Sequence, residues 1–371
     1  MTNSLAIGGI ETNVVRLSRE LTDRGHRVSV AARAGELVPE LIEAGGRFLP
    51  LDTRPINASA GARQLRKLVA RSEPDIVHSF SAAASLLTRL ALTGLRSRPP
   101  VVSTVMGLQS RPGEGKTLTG VRVWATSVGA DRVVIVSPAI RQITSRLPIS
   151  QHRLVEGQVV GVDLPDLAER SQMRVRARAA VGTADDTRVV LTIGNLEPRK
   201  SHELFIRAAD QVRRALPDTV FLIVGGGHLE SLIREEISRL DLIDHVRMLG
   251  PRTDADDLIW AADVYVRPGV VEGFVGITVL EAQARGVPVI SFETEDVKLA
   301  IEDGVSGLLA ARGDVGDLAG QVIDLLGDPA RASMIGSAGR RAVEMRFALP
   351  AIVDRLLDLY GSLGAPNRSP R

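Results

Sequence analysis

Apolar positions along the chain alternate between two spacings. Short runs of β-branched residues, as at Val101–Val105 and Val189–Ile193, are separated by longer stretches in which apolar residues recur every three or four positions. The first spacing is typical of buried parallel strands and the second of amphipathic helices. The pattern therefore predicts repeated strand–helix–strand units, which form parallel sheets with helices on both faces.

The predicted elements fall into two series. In the first series we expect a helix at Thr12–Arg24, ending at Gly25, and strands at Arg27–Ala32, Arg47–Leu51, Ile76–His78, Val101–Val105 and Arg132–Val136. In the second series we expect strands at Val189–Ile193, Val220–Val224, Val246–Leu249, Asp263–Val266 and Val287–Ile290. Its helices are expected at His202–Leu216, Leu229–Leu240, Val315–Leu326, Pro329–Arg346 and Pro350–Leu363.

The two series imply two domains. The segment Arg153–Pro165, with its two glycines and final proline, interrupts the alternation and is interpreted as the connection. A chain of 371 residues also exceeds the ~250–300 residues that one core supports. We predict doubly wound domains at 1–160 and 167–348, with a linker at 161–166. Residues 349–371 are predicted to be a helix that crosses back to the first domain, followed by a frayed tail. Ligands are expected at the carboxyl ends of the strands and in a cleft between the domains.

The start of the chain is short for this scheme. Only Met1–Ile7 precedes the Gly8-Gly9 turn, which a first strand should lead into. Strands are usually ~5–6 residues long and need a lead-in, so we expect the natural chain to begin about 5–15 residues earlier.

Composition narrows the class of protein. There are no cysteines, which excludes disulfides and thiolate metal sites and favours a reducing compartment. No apolar run reaches the ~18 residues that a membrane span needs, and the amino terminus lacks a secretory pattern, so we predict a cytoplasmic protein. Residues 1–165 carry a net charge of +8 and the remainder −6. The basic half could meet an anionic membrane or acidic acceptor, but aromatics at 3% argue against nucleic-acid binding.

The strongest candidate site is the segment Val266–Ser291. A strand is followed by a glycine-containing loop and then by a helix that starts near Gly276. The unpaired amides of a helix start, with the positive end of the dipole behind them, favour an anion. Glu281 lies roughly 7.5 Å further along the axis, where a carboxylate can accept hydrogen bonds from a ribose diol. The alternative is an ordinary strand-to-helix turn with a solvated glutamate.

A second candidate is the segment Thr192–His202, which places Arg199 and Lys200 on a loop after a strand. The chain has only four lysines, so a lysine here is notable. Fixed cations aimed at a departing diphosphate lower the barrier to its loss. The alternative is a pair of surface cations at a helix start.

Other motifs are weaker. Gly8-Gly9 and Gly225–Gly227 follow strands and would let the backbone approach a ligand, but simple turns explain them equally. Asp254–Asp257 has the form of a metal-binding pair of aspartates, and we interpret it instead as the polar cap of the following helix. His78 is interpreted as structural.

Together these motifs resemble the family 4 type of glycosyltransferases, which are retaining enzymes of the GT-B fold. The resemblance covers nearly the whole chain, and the order of the motifs is specific. They are GGIE at 8–11, RGHRVSV at 24–30, PDIVHSF at 74–80, ADRVVIVS at 130–137, GNLEPRK at 194–200, VGGGHLE at 224–230, EGFVGITVLEAQARGVPVIS at 272–291 and DGVSGLL at 303–309.

The resemblance implies a nucleoside diphosphate sugar as donor substrate, with no metal and no other cofactor. It implies that Arg199 and Lys200 hold the donor diphosphate, that Glu281 binds the ribose and that the loop Glu272–Gly276 meets the sugar. It also implies that Gly8 and Gly9 sit against the phosphates from the other domain. The implied catalytic residues are Arg199, Lys200 and Glu272. The implied donor-binding residues are Gly8, Gly9, Gly194, Asn195, Gly273, Phe274, Val275, Gly276, Ile277, Thr278 and Glu281.

Three positions depart from the family pattern. Val275 adds one residue between Glu272 and Glu281, Asn195 stands where an arginine is usual, and Met106 stands where a histidine is usual. We expect Arg199 to compensate for Asn195. Met106 and Val275 keep open a nucleotide-binding scaffold without activity. A third alternative is a nucleotide-sugar epimerase, which the GGIE and GNLEPRK motifs fit poorly.

The acceptor is left open between a glycolipid, a polysaccharide precursor and a small molecule. Four basic residues share one predicted helical face and could dock on an anionic membrane at its inner surface, although a solvated face is the alternative. They are Arg63, Arg66, Lys67 and Arg71.

Overall fold

A computed structural model describes residues 1–106, 116–271 and 275–364. The chain divides into two compact units, Met1–Gly161 with Phe347–Arg371 and Val162–Arg346. The catalytic and donor-binding predictions at Glu272, Gly273 and Phe274 lie outside the described residues.

In its described residues the first unit contains six short parallel strands and the helices between them. In chain order they are α1 (Gly9–Asp23), β1 (Ser29–Ala32), α2 (Val38–Glu43), β2 (Arg47–Pro50), α3 (Ala58–Ser72), β3 (Val77–Ser79), α4 (Ala82–Leu92), β4 (Val101–Val105), α5 (Lys116–Ser127), β5 (Arg132–Ile135), α6 (Pro138–Thr144) and β6 (Leu154–Glu156). The strands form two sheets, ordered β1-β2 and β3-β4-β5-β6.

The segment Met1–Leu5 runs between these two sheets. The amide of Leu5 donates to the carbonyl of Arg33, next to β1, and the amide of Phe80, after β3, donates to the carbonyl of Met1. The segment thus stands where a central first strand belongs, at the carboxyl ends of its neighbours. Beneath it, a cavity of about 910 Å³ lies between β1 and β3 and is lined by residues of α1, α3 and the last helix of the chain.

The described part of the second unit contains one six-stranded parallel sheet and its flanking helices. Its elements are α7 (Arg170–Ala180), β7 (Arg188–Ile193), α8 (His202–Ala215), β8 (Thr219–Val224), α9 (Glu230–Arg239), β9 (Val246–Gly250), β10 (Val264–Arg267), α10 (Ile277–Ala284), β11 (Val289–Phe292), β12 (Leu308–Ala310), α11 (Val315–Gly327) and α12 (Pro329–Arg346). The order is β12-β11-β10-β7-β8-β9, so the winding reverses between β7 and β10.

The last helix, α13 (Leu349–Gly361), belongs to the first unit. Arg24 at the end of α1 pairs with Asp354 on α13. The hydroxyl of Tyr360 lies 2.6 Å from Nδ1 of His78, whose Nε2 lies 2.7 Å from the hydroxyl of Thr104. Burial, more than the nearby amino terminus, lowers the pKa of His78 to about 3, so the ring is a neutral structural link.

One expectation about the connection was wrong. The structure forms β6 inside the segment Arg153–Pro165, where it pairs in parallel with β5. This three-residue edge strand is half exposed, so it has too few apolar positions to produce a periodic signal. Similarly, β12 spans only three residues and was not predicted.

Candidate functional site

The carboxyl ends of β7 and β10 form the crevice in which a doubly wound sheet binds ligands. The two strands are parallel neighbours, and Tyr265 pairs with Leu191. The connection after β7 leads to one half of the sheet and the connection after β10 to the other, which leaves a gap between the two loops. The loop Gly194–Ser201, Arg267 at the end of β10 and the start of α10 therefore lie at the same edge of the sheet.

The loop after β7 is held by the end of β8. The amide of Gly194 donates to the carbonyl of Val224 and that of Leu196 donates to the carbonyl of Gly226, at 2.9 and 3.0 Å. Gly225 has φ +144°, and a side chain there would overlap the carbonyl oxygen of Gly194. The run Gly225–Gly227 thus has a packing role in this unit, because it lets two loops approach closely.

Lys200 is the half-buried cation of this loop. Its stem packs on Gly194, where an added Cβ would lie 3.4 Å from Lys200 Cδ. Burial, followed by the positive charges of Arg199 and Arg267, lowers the pKa of Lys200 to about 7. These surroundings destabilise the charged ammonium, and an anionic ligand would stabilise it.

Arg199 is placed differently from Lys200. Its side chain is 48% exposed, and its Nε lies 2.8 Å from the Glu197 carboxylate. Asn195 is exposed, and its carbonyl lies 3.3 Å from Nε2 of His202. Burial is the main reason that the pKa of His202 falls to about 4, so this ring adds no charge at neutral pH. The expected compensation by Arg199 for Asn195 stays a prediction. In this structure the Arg199 guanidinium contacts the Glu197 carboxylate.

Arg267, the last residue of β10, was not among the predicted site residues. Its Nη1 donates to the carbonyl of Gly269 at 3.2 Å and to the hydroxyls of Ser291 and Thr294, each at 3.3 Å. Its Nη2 lies 3.0 Å from a carboxylate oxygen of Asp296, and the two side chains are only 13% and 2% exposed. A charged residue directly after a buried strand was the available sequence signal for Arg267.

The start of α10 has the geometry that the sequence predicted. Val275 is buried, and Gly276 at the N-cap has φ +79°, a conformation that side chains rarely adopt. Among the described residues no side chain caps this end, so the amides of the first turn, including Ile277 and Thr278, are available to a ligand at the positive end of the helix dipole. This arrangement favours an anion at the mouth of the crevice.

Glu281 lies one turn into α10 and is only 4% exposed. It is not the solvated glutamate that the alternative interpretation required. α10 is buried on all sides because α12 packs over it, with Gly336 against the backbone of Gly286. Desolvation is the main cause, and the Glu281 charge a minor one, of the rise in the pKa of Tyr265 to about 12.

In the first unit, Gly8 caps α1 beside an acidic side chain. An added Cβ at Gly8 would lie 2.6 Å from Oε2 of Glu11, so the carboxylate sits against the turn. Burial raises the pKa of Glu11 despite opposing hydrogen bonds. Gly9 is exposed. Met106, which directly follows β4, is buried. A phosphate contact by Gly8 or Gly9 stays a prediction.

The acidic cluster Asp254–Asp257 is occupied by arginines. Arg252 lies 2.6 Å from Asp254, and Arg285 lies 3.2 Å from Asp256. Asp256 stands at the N-cap of a short 3-10 helix, but its side chain makes no capping hydrogen bond, so that expectation was wrong in detail. Within 1–106, 116–271 and 275–364, no three His, Asp or Glu residues are grouped so that they could hold a metal ion. Across the same ranges, no helix is both long and apolar enough to span a bilayer.

Two family profiles match the chain in succession. The one described as Glycosyltransferase Family 4 matches residues 7–155, and the one described as Glycosyl transferases group 1 matches residues 174–342. The chain belongs to the family 4 type of glycosyltransferases and has the GT-B fold.

Named relatives of this family 4 glycosyltransferase differ in their acceptors. A GDP-mannose-dependent monoacylated alpha-(1-6)-phosphatidylinositol monomannoside mannosyltransferase of Corynebacterium glutamicum is 30% identical over 81% of this chain and 80% of its own length. A D-inositol 3-phosphate glycosyltransferase of Mycolicibacterium vanbaalenii is 28% identical over 98% of this chain and 87% of its own.

Solved structures agree on the fold. Anabaena HepE in complex with UDP-glucose superposes with a TM-score of 0.82 at 20% identity, covering 97% of this chain and 99% of that one. At this level of identity the likeness concerns the GT-B fold alone.

Proposed function

We propose that this chain transfers a sugar, with retention of configuration, from a nucleoside diphosphate sugar to an acceptor hydroxyl, without a metal ion. The observation that carries the proposal is the convergence of Lys200 and the uncapped start of α10 at the carboxyl ends of β7 and β10. A cation and a helix start together provide a site for the diphosphate of the donor.

In the proposed reaction the bond between the anomeric carbon and the phosphate oxygen breaks as the acceptor oxygen attacks from the same face. The acceptor proton passes to the departing phosphate oxygen. Negative charge grows on the diphosphate as it leaves, so donors fixed beforehand stabilise the transition state more than the ground state. The chain thus contributes positioning and electrostatic stabilisation, and Lys200 is its main cation.

Glu281 is proposed to bind the donor ribose. Its carboxylate is held by a helix that is packed on every side, so its position is rigid. A diol that reaches it would donate two hydrogen bonds to a charged acceptor, which is the stronger class of hydrogen bond. Glu281 lies beyond the first turn of α10, so the carboxylate is separated from the diphosphate end of the site.

A thermal-shift series with UDP, GDP and ADP tests the donor site, since one relative is named as GDP-mannose-dependent and one structural neighbour holds UDP-glucose. A nucleotide at about 100 times its dissociation constant stabilises the folded chain by about 2.7 kcal/mol. We expect one of the three diphosphates to raise the melting temperature more than its monophosphate does. No stabilisation by any of them would overturn the proposal.

The acceptor is proposed to be a lipid or small molecule presented near an anionic membrane. Arg63, Arg66, Lys67 and Arg71 on α3 are all exposed. The next helices, α4 and α5, expose apolar side chains as well. Leu86 and Leu90 are 40% and 53% exposed, and Val121 and Trp124 are 52% and 39% exposed. Basic and apolar side chains on adjoining helices suit the headgroup layer of an anionic bilayer.

Two other functions make different predictions. A scaffold without activity would bind a nucleoside diphosphate but release no nucleotide from a nucleotide sugar when acceptors are supplied. An epimerase would convert one nucleotide sugar into another without acceptor, which NMR of the donor would detect. Transfer to an added acceptor supports the proposed function over both.

A further inference from the structure

We infer that Arg267 is the second cation of the diphosphate site and that Asp296 positions it. This inference rests on the proposed function. It assigns to Arg267, at the end of β10, the place that an arginine usually takes where this chain has Asn195. The sequence identified neither Arg267 nor Asp296 as a site residue.

The site needs a second cation because Lys200 alone is weakly charged at neutral pH. With a pKa of about 7, Lys200 is only partly protonated before a ligand arrives. A diphosphate diester carries two negative charges. Asn195 is neutral, and the Arg199 side chain is 48% exposed, so solvent screens its charge more than that of Arg267, which is 13% exposed. Arg267 is a second arginine whose charge acts on Lys200 in the described fold.

Two glycines locate the Arg267 guanidinium. A Cβ built on Gly269 would lie 4.0 Å from Arg267 Cζ and 3.9 Å from Lys200 Cα. A Cβ built on Gly276 would lie 3.9 Å from Arg267 Nε. The guanidinium therefore lies between the Lys200 loop and the start of α10, where the two anion-binding features meet.

The guanidinium is oriented by four partners. Nη1 donates to Gly269, Ser291 and Thr294, Nη2 donates to Asp296, and Nε donates to no group among the described residues. An arginine held in this way offers its remaining N–H donors in fixed directions, which is the preorganisation that charge stabilisation requires.

Asp296 has the environment of a positioning residue. It is 2% exposed, and Arg267 is its ion-pair partner. Its other oxygen, Oδ1, is buried without a hydrogen-bond partner in the parts of the chain that the structure describes. A buried carboxylate with an unsatisfied oxygen is costly to the fold. Its negative charge also favours the protonated form of Lys200.

The test compares ligands that differ only in phosphate number. We expect Arg267→Gln to weaken binding of the preferred nucleoside diphosphate by about 10- to 100-fold, the value of a charged hydrogen bond. Binding of the matching nucleoside should change less than twofold. Arg267→Lys should recover part of the loss, and Asp296→Asn should give an intermediate loss. Arg234→Gln, on the exposed face of α9, is the matched control.

The outcomes separate this inference from the proposed function. If the unaltered protein binds no nucleoside diphosphate, both fall. If it binds one and Arg267→Gln binds it equally well, or if diphosphate and nucleoside weaken alike, Arg267 has a structural role and the inference alone is overturned. Circular dichroism melts of each variant identify loss of the fold, and Arg267→Lys, which keeps the charge, then decides the question.

Discussion

The hydroxyl of Tyr265 donates a 2.7 Å hydrogen bond to the hydroxyl of Thr278. Tyr265 is a central residue of β10 and Thr278 lies in the first turn of α10, so the bond fixes the helix start against the sheet. The same hydroxyl lies 3.4 Å from the carbonyl of Ile193, at the end of β7. One buried phenol therefore joins the three segments that frame the candidate donor site.

Tyr265→Phe should lower the free energy of unfolding by about 1 kcal/mol, the net value of one hydrogen bond. It should also weaken nucleoside diphosphate binding, because the start of α10 is no longer fixed. Chemical denaturation and calorimetric titration measure the two effects. Tyr360→Phe is the matched control, since the Tyr360 hydroxyl contacts His78 in the first unit. Equal losses of binding in both variants would refute a specific role for Tyr265.

Lys200→Ala should reduce sugar transfer by several hundredfold, since removal of one charge-stabilising donor costs about 3–4 kcal/mol of barrier. Glu281→Ala should raise KM for the donor more than it lowers kcat. Initial rates at varied donor concentration separate the two effects. Lys298→Ala removes an exposed lysine that pairs with Glu293 and Glu295, and should retain full activity. Full activity in Lys200→Ala would exclude it from the site.

Donor affinity should fall as the pH rises from about 6 to 8. The pKa of Lys200 is lowered to about 7, so the free protein loses the ammonium in this range, and a bound anion must restore it. No phosphate group of a nucleotide sugar titrates between pH 6 and 8, so the change in affinity comes from the protein. Lys200→Arg should remove the dependence because arginine stays charged. An unchanged pH profile in that variant would contradict this explanation.

The same pKa has a consequence for stability without ligand. Above pH 7 the unfolded chain keeps a proton on Lys200 that the folded chain has released. The free energy of unfolding should therefore rise with pH between about 7 and 10.5, the ordinary lysine value. Lys200→Met should show a smaller rise over this interval in urea titrations.

Gly225→Ala should displace the loop that carries Lys200. Its φ of +144° and the overlap with the carbonyl of Gly194 together predict a loss of about 1–3 kcal/mol in unfolding free energy. Nucleoside diphosphate binding should be lost as well. Gly313→Ala is the control, because Gly313 has φ +79° but no neighbour within 4 Å of an added Cβ. It should lose stability and keep binding.

The first unit should bind vesicles that contain anionic lipid. Flotation with phosphatidylglycerol-containing vesicles should recover the protein, and neutral vesicles should not, because the α3 cations need a negative surface. Arg63→Glu with Lys67→Glu should abolish flotation, and Trp124→Ala should reduce it. Arg176→Glu with Arg234→Glu, on exposed helix faces of the second unit, is the control. Equal recovery with neutral vesicles would exclude the charge-dependent contact.

Long elements could be read directly from the chain. The helix predicted at Pro329–Arg346 is α12, and the strand predicted at Val101–Val105 is β4. Their length and apolar spacing determine them locally, because burial of one face needs a repeated pattern. The short strands β6 and β12, which were not predicted, are edge strands and depend instead on one neighbour that supplies their hydrogen bonds.

The sequence alone determined the family, the two doubly wound units, the loop with Lys200 and the helix start at Gly276, because each rests on residue types at fixed local spacing. The tertiary structure decided which charges converge on the site. Arg199 lies next to Lys200 in the chain, yet its guanidinium pairs with Glu197 on the surface. Arg267 and Asp296 are far from Lys200 in sequence and reach it because β7, β10 and β11 end at one edge of the sheet. Strand order, which no local pattern encodes, selects these partners.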